Sequence, residues 1–279
     1  MDASDTTSAA QPGLERLDRV RFVLVETSLS ANMGAVARAM KTMGLTRLVL
    51  VRPQQALDAE ALARAAGADD LLARARVCAS LDEALAGCRL VIGSSARARS
   101  LAWPEVDPGA CAERLLHEAE VGEVALLLGR ERSGLSNDEL ARCHFLTRIA
   151  ANPQYSSLNI AAAAQVFAYE LRRVALQGEA GARRAQEPAA AASDPSLDGV
   201  LAEAPRSDLA TADEMASFYG HLEHTMTRIG FADPEQSSTL RRRLRRLFNR
   251  ARPDRTELNI LRGLLSAAEG RKHPDRFRR

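Results

Sequence analysis

From about residue 20 the chain alternates short apolar runs with longer stretches in which apolar residues recur at helical spacing. The runs RFVLVE (21–26), RLVLV (47–51), RLVIG (89–93) and EVALLLG (123–129) are too short for stable helices, and each closes on a turn or polar signal. Unbroken apolarity over so few residues predicts strands buried on both faces. Between them, GAVARAMKTMG (34–44), DAEALARAAG (58–67), SLDEALAGC (80–88) and CAERLLHEAE (111–120) predict helices, with Gly44, Gly67 and Gly87 near their carboxyl ends. This alternation predicts an α/β domain around a mainly parallel sheet, in which ligands sit beyond the carboxyl ends of the strands.

A longer helix is predicted over SSLNIAAAAQVFAYELRRVALQ (156–177), with a serine able to cap its start and an Ala-rich apolar face. The next stretch, 178–208, is rich in Ala, Pro, Gly and Ser and reads as a flexible linker. Three further helical patterns follow, ADEMASFYGHLEHTMTRIGF, SSTLRRRLRRLFNRARP and TELNILRGLLSAAEGRK, and make a small all-α module over 209–279. Residues 1–19 are expected to be a disordered tail. The α/β domain then spans 20–177.

Charge sharpens this division. Residues 240–279 hold 14 basic and 4 acidic residues, whereas 1–239 hold 24 and 32. A basic module on an acidic body points to a polyanionic partner held by the C-terminal part. No apolar stretch reaches 18 residues, so no membrane partner is expected. Cys78, Cys88, Cys111 and Cys143 are widely spaced without a C-x-x-C pair, which predicts reduced cysteines packed as small hydrophobes in a cytoplasmic protein. His221 and His224 flank Glu223 on a helical pattern; they read as helix surface, and no structural metal is expected.

The chemistry should lie in the loops after the strands. ETSLSANMGAVARAMK follows the first strand and places Asn32, Gly34 and Arg38 at N-x-G-x-x-x-R spacing on the way into a helix. SSARARS follows LVIG, GRERSGLSNDEL follows EVALLL, and IAANPQYSSLN leads into the Ala-rich helix. Small residues and free backbone groups dominate these loops, as suits a ligand held by main-chain hydrogen bonds, such as an adenine ring or an amino-acid moiety. Gly129 and Gly134 match the first part of a phosphate-binding loop, but Leu135 stands where a lysine would reach the phosphates. G-x-G-x-x-G is likewise missing after the first strand, which disfavours dinucleotide and triphosphate sites.

Taken together, NMGAVARAMKTMG, LLLGRERSGLSNDEL and IAANPQYSSLNIAAAAQV, in that order, resemble the three motifs of the SpoU/TrmH class of SPOUT RNA 2′-O-methyltransferases. The likeness is closer still to the TrmJ-type tRNA methyltransferases. It extends through VETS, AAGADD, LDEALAGC and ARARSLAWP, and into FYGHLEHT and LRRLFNRARPDRTELNILRG, covering roughly 20–175 and 211–268. The resemblance implies a C-terminal trefoil knot in the α/β domain, S-adenosyl-L-methionine as methyl donor with S-adenosyl-L-homocysteine as product, and a homodimer that completes its site across the interface. It implies cofactor contacts from Ser94, Ser95, Ala96, Gly129, Ile149, Ser156, Ser157 and Leu158, largely through backbone groups. Arg38 falls at the catalytic position, Asn32 shapes the pocket, and Glu131 and Asn159 support it. The implied substrate is the ribose of the first anticodon-loop nucleotide of tRNA (position 32, cytidine or uridine), with the basic helix contacting RNA phosphates. Ribosomal RNA or another tRNA position, and a knotted RNA-binding factor without catalysis, remain alternatives.

Overall fold

The computed structural model describes residues 13–96, 103–155, 157–185, 208–233 and 237–270, with backbone alone over 178–185. The chain runs β1 (Val20–Val25), α1 (Ser30–Thr42), β2 (Arg47–Val51), α2 (Ala59–Ala65), α3 (Asp69–Ala73) and β3 (Arg76–Cys78). It continues through α4 (Leu81–Leu85), β4 (Cys88–Ser94), β5 (Glu105–Val106), α5 (Pro108–Glu118), β6 (Glu123–Leu128), α6 (Asn137–Leu140), β7 (Phe145–Thr147) and α7 (Ile160–Ala185). The seven strands form one sheet in the order β3-β2-β1-β6-β4-β7-β5, and every pair is parallel.

The four long apolar runs are the four central or near-central strands, buried on both faces as their lack of alternation requires. Phe22, Leu24, Leu48, Leu50, Leu126 and Leu128 pack to one face, under α1, α2, α5 and α7. Val23, Val25, Val49, Val51, Ala125 and Leu127 pack to the other, with α4, α6, Trp103 and the segment that carries Leu135 and Cys143. Strands β3, β5 and β7 have two or three residues each, too few for any periodicity to register. Strand β7 lies between β4 and β5, which precede it in the chain and are consecutive. Insertion of later chain between two earlier neighbours is the arrangement a threaded knot requires, against the general rule that connections do not thread.

Three sequence expectations shift. The last residues of the expected tail are folded: Leu14–Arg19 form a 3-10 turn, anchored by the buried Leu17 and by Arg19 donating to the carbonyls of Ala119 and Glu120 at 3.0 and 2.7 Å, and residues 1–12 lie outside the described residues. The long helix starts at Ile160 rather than Ser156, because Asn159 caps it by accepting the Ala161 N–H at 2.8 Å. The same helix runs through residues 178–185, the first part of the stretch read as a linker. Gly34 lies where α1 and α2 touch backbone to backbone: a Cβ there would stand 2.0 Å from the Ala61 carbonyl oxygen.

The C-terminal module is α8 (Ala212–Arg228), α9 (Ser238–Ala251) and α10 (Arg255–Ala268) around Met215, Phe218, Tyr219 and Leu258. Phe218 and Phe248 meet edge-on at 4.9 Å, and Asp254 with Glu257 forms a capping box that starts α10. It docks on the sheet face that carries α4 and α6, where Ala212 joins the apolar layer. Buried Asn249 donates to the carbonyls of Ala141 and Cys143 at 3.0 and 3.2 Å and accepts from the Tyr219 hydroxyl at 2.7 Å. Arg252 reaches Glu118 at 2.8 Å, and Asp213 accepts the Gly87 N–H at 2.9 Å. Replacing Asn249 by alanine strands two buried carbonyls and leaves the Tyr219 hydroxyl only the Arg245 carbonyl, 3.1 Å away, and is expected to cost about 2 kcal/mol, read as a lower urea midpoint.

Candidate active site

Three loops leave the carboxyl ends of β4, β6 and β7 and wall one cavity of about 360 Å3. Ser94, Ser95 and Ala96 form one side, Gly129 to Gly134 a second, and Ile149, Gln154, Tyr155, Ser157, Leu158, Ile160 and Ala163 the third. The position follows from the parallel sheet, whose strand ends splay their connections apart here.

The loop after β6 is closed on itself. The Arg130 N–H donates to the Gly134 carbonyl at 3.2 Å and the Gly134 N–H to the Arg130 carbonyl at 2.9 Å. Gly134 adopts a φ of 67°, which favours glycine, and a Cβ on Gly129 would stand 2.3 Å from the Gly134 carbonyl carbon. The Arg130 side chain clamps the loop from outside, donating to Glu139 at 2.9 and 3.0 Å and to Glu26 at 2.7 Å. Glu26 also pairs with Arg52, so the ends of β1, β2 and β6 share one charge cluster. Glu26 and Arg52 both sit at positive φ, a backbone strain concentrated at the functional end of the sheet. The Arg130 guanidinium holds the Glu26 carboxyl below its ordinary range, and the carboxylates of Glu139 and Glu26 push Arg130 further up.

Glu131, next in the chain, faces the cavity wall and also grips the start of α1. Its carboxylate accepts from the Ser28 N–H at 3.1 Å, the Ser28 hydroxyl at 3.0 Å and the Asn32 amide at 2.9 Å. The Asn32 carbonyl oxygen accepts from the Asn159 amide at 3.0 Å, and Asn159 in turn takes the Ala161 N–H. Every donor and acceptor in this line has one consistent direction, which fixes both amide orientations. Burial would push the Glu131 carboxyl up, but the hydrogen bonds from Asn32 and Ser28 outweigh it and hold the group below its ordinary range. An ionised carboxylate with its lone pairs so engaged is a brace rather than a proton acceptor.

Among the expected cofactor residues, Ser94, Ser95, Ala96, Gly129, Ile149, Ser157 and Leu158 line this single cavity, and Glu131 lines it with them. Ser156 lies outside the described residues. Asn32 is buried behind Glu131 and does not reach the wall. Arg38 stands exposed on α1, away from the wall, and its side chain makes no hydrogen bond or ion pair among the described residues. Ser28 and Arg130 escaped the sequence reading although both sit in its loops. Their partners lie up to 104 positions away, and nothing local marks them.

The four cysteines are buried and unpaired, with Cys88, Cys111 and Cys143 pushed up to about 12 by burial. They are packing groups, not nucleophiles. Among the described residues no cluster of His, Cys, Asp or Glu could hold a metal, and no helix is long and apolar enough to cross a membrane.

Residues 19–169 match the SpoU rRNA methylase family, and residues 213–277 match the tRNA methyltransferase TrmJ C-terminal domain. The chain is 50% identical over 253 residues to the tRNA (cytidine/uridine-2′-O-)-methyltransferase TrmJ of Klebsiella pneumoniae, covering 91% of this chain and 97% of that relative. Among solved structures it is similar to TrmJ from Z. mobilis, with a TM-score of 0.73 at 31% identity over 89% of this chain and 98% of the other. A probable methylase family protein from Haemophilus influenzae is 42% identical over 91% of this chain and 97% of its own, with a TM-score of 0.56.

Proposed function

The chain belongs to the SpoU rRNA methylase family, and on that premise we propose that it is a tRNA (cytidine/uridine-2′-O-)-methyltransferase using S-adenosyl-L-methionine. The observation that carries this reading is the cavity after β4, β6 and β7, walled by the described residues that the resemblance assigns to cofactor. The wall fits such a group. Gly129 lets backbone close behind the ligand where a Cβ has no room, Leu128, Ile149 and Leu158 offer an apolar bed, and Ser94, Ser95 and Ser157 offer polar groups. When bound, S-adenosyl-L-methionine supplies an electrophilic methyl group.

The protein's task is then to align and activate a ribose hydroxyl that is barely ionised at neutral pH. Glu131, Asn32 and Asn159 lock the start of α1 to the cavity loops and so fix the helix that carries Arg38. Arg38 positions the target phosphate and hydroxyl, where its N–H groups stabilise negative charge on the oxygen as the proton leaves. Arg38 lies outside its own chain's cavity wall, and this reading completes the site with a second copy of the chain. Tyr169 and Leu176, seven residues apart on α7 and 54% and 40% exposed, give an apolar stripe for that homodimer. The protein works in the cytoplasm, where tRNA is met.

The helical module is the RNA-binding part of this reading. Several arginines of α9 and its end are engaged within the fold: Arg241 and Arg245 with Glu223, and Arg252 with Glu118. Arg243 and Arg250 are exposed and have no such partner among the described residues. They face solvent as phosphate contacts, giving affinity that falls with salt.

The target is the first anticodon-loop nucleotide, position 32. Incubation of the purified protein with labelled S-adenosyl-L-methionine and unmodified tRNA transcripts, followed by mapping, should place the methyl group on that ribose. Transfer to ribosomal RNA or to another tRNA position instead would overturn the assignment.

A further inference from the structure

We propose that Arg132 and Tyr155 form a seat for the target nucleotide at the mouth of the cavity, with Arg132 holding a flanking phosphate and Tyr155 stacking against a base. The inference deepens the RNA methylation reading and rests on it. Among the described residues, three charged ones line the cavity: Arg130, Glu131 and Arg132. Arg130 is spent on Glu139, Glu26 and the Gly134 carbonyl, and Glu131 on Ser28 and Asn32. Arg132 is exposed and makes no hydrogen bond or ion pair among the described residues, so it is the uncompensated cation of the wall.

An exposed arginine is ordinarily just solvated, and its setting is what distinguishes this one. The backbone bonds between Arg130 and Gly134, with the Arg130 clamp outside them, hold the intervening residues in place before any ligand arrives. A cation delivered by such a loop loses little conformational freedom on binding. A ribose hydroxyl cannot reach the cavity without the phosphates on either side of its nucleotide, so an anion must come to this rim with the substrate.

Tyr155 stands across the same mouth, 84% exposed. Its backbone is pinned in a turn, with the Tyr155 N–H donating to the Asn152 carbonyl at 2.9 Å and the Gln154 N–H to the Asn152 side chain at 3.0 Å. A large ring held out in water on a fixed turn buries nothing for the fold. Splayed single-stranded bases are recognised by stacking on such rings, and every base has a face to offer.

The test uses the full chain with an unmodified tRNA transcript, comparing wild type with R132A, R132K, Y155A and Y155F. R132A is expected to raise the KM for tRNA about tenfold and to reduce the salt slope of tRNA binding by about one. Its calorimetric affinity for S-adenosyl-L-methionine should be unchanged, and R132K should recover the slope. Y155A should weaken tRNA binding about tenfold at unchanged slope, and Y155F should restore it. Normal methylation with R132A and Y155A indistinguishable from wild type in tRNA affinity and slope would overturn the seat while leaving the functional reading intact. R132A that weakens cofactor binding but not tRNA binding would also overturn it. Wild-type protein that shows the Arg132-dependent slope yet transfers no methyl group would instead sink the functional reading and support the seat.

Discussion

Replacing Arg38 by alanine is expected to lower single-turnover methyl transfer to tRNA by about a hundredfold or more, with the fold and the cofactor affinity unchanged. Arg38 is exposed on α1, its side chain holds nothing among the described residues, and it is absent from the cavity wall. Its loss therefore removes no packing and no cofactor contact. On the proposed mechanism, what it removes is the charge that places the hydroxyl and steadies negative charge on its oxygen, an interaction strongest in the transition state. Lysine at this position keeps the charge but not the planar fork, and should recover only part of the rate. The measurements are single-turnover methylation, calorimetry with S-adenosyl-L-methionine and thermal melting on the same preparations. Near-normal turnover in R38A would remove Arg38 from the mechanism.

Gly129→Ala should act in the opposite way, through the fold of the cavity. A Cβ at this position would stand 2.3 Å from the Gly134 carbonyl carbon and 2.4 Å from the Leu135 nitrogen, both backbone atoms that cannot swing aside. The loop must open, breaking the paired bonds between Arg130 and Gly134 and pulling Arg130 from Glu26 and Glu139. Overpacking of this kind costs about 1–3 kcal/mol, and the ligand pays again because the wall it needs is displaced. The expected result is a lowered melting temperature together with at least about a tenfold loss of cofactor affinity. Gly220→Ala is the matched control: it lies within α8 with nothing within 4 Å of the added methyl, and should hold or raise stability. If G129A binds cofactor as wild type does, the tight closure of this loop is not what forms the site.

The loop GRERSG shows how far local sequence reaches. Its two glycines and the missing lysine excluded a triphosphate, and that exclusion needs only the residues themselves. That Arg130, Glu131 and Arg132 then go three different ways, to a clamp, to a brace on α1 and to the rim, depends on partners elsewhere in the chain: Glu26, Ser28 and Asn32 come from the far side of five intervening strands. Three adjacent charged residues look alike in a sequence because charge is local, whereas its compensation is not.

What the sequence by itself determined is whatever depends on neighbours along the chain: the four long buried strands, most of the helices between them, the division between α/β body and basic module, and the three loops that wall the cavity. Local spacing is enough there, since an element's pattern repeats over its own few residues. Tertiary structure alone decided the rest. It inserted β7 between β4 and β5, gave Gly34 to helix packing, and tied the basic module to the sheet through Asn249 and Arg252. It also separated arginines paired within the fold from those left exposed. Each of these turns on which distant groups come within hydrogen-bonding or contact distance, a property of the folded chain that no run of neighbouring residues carries.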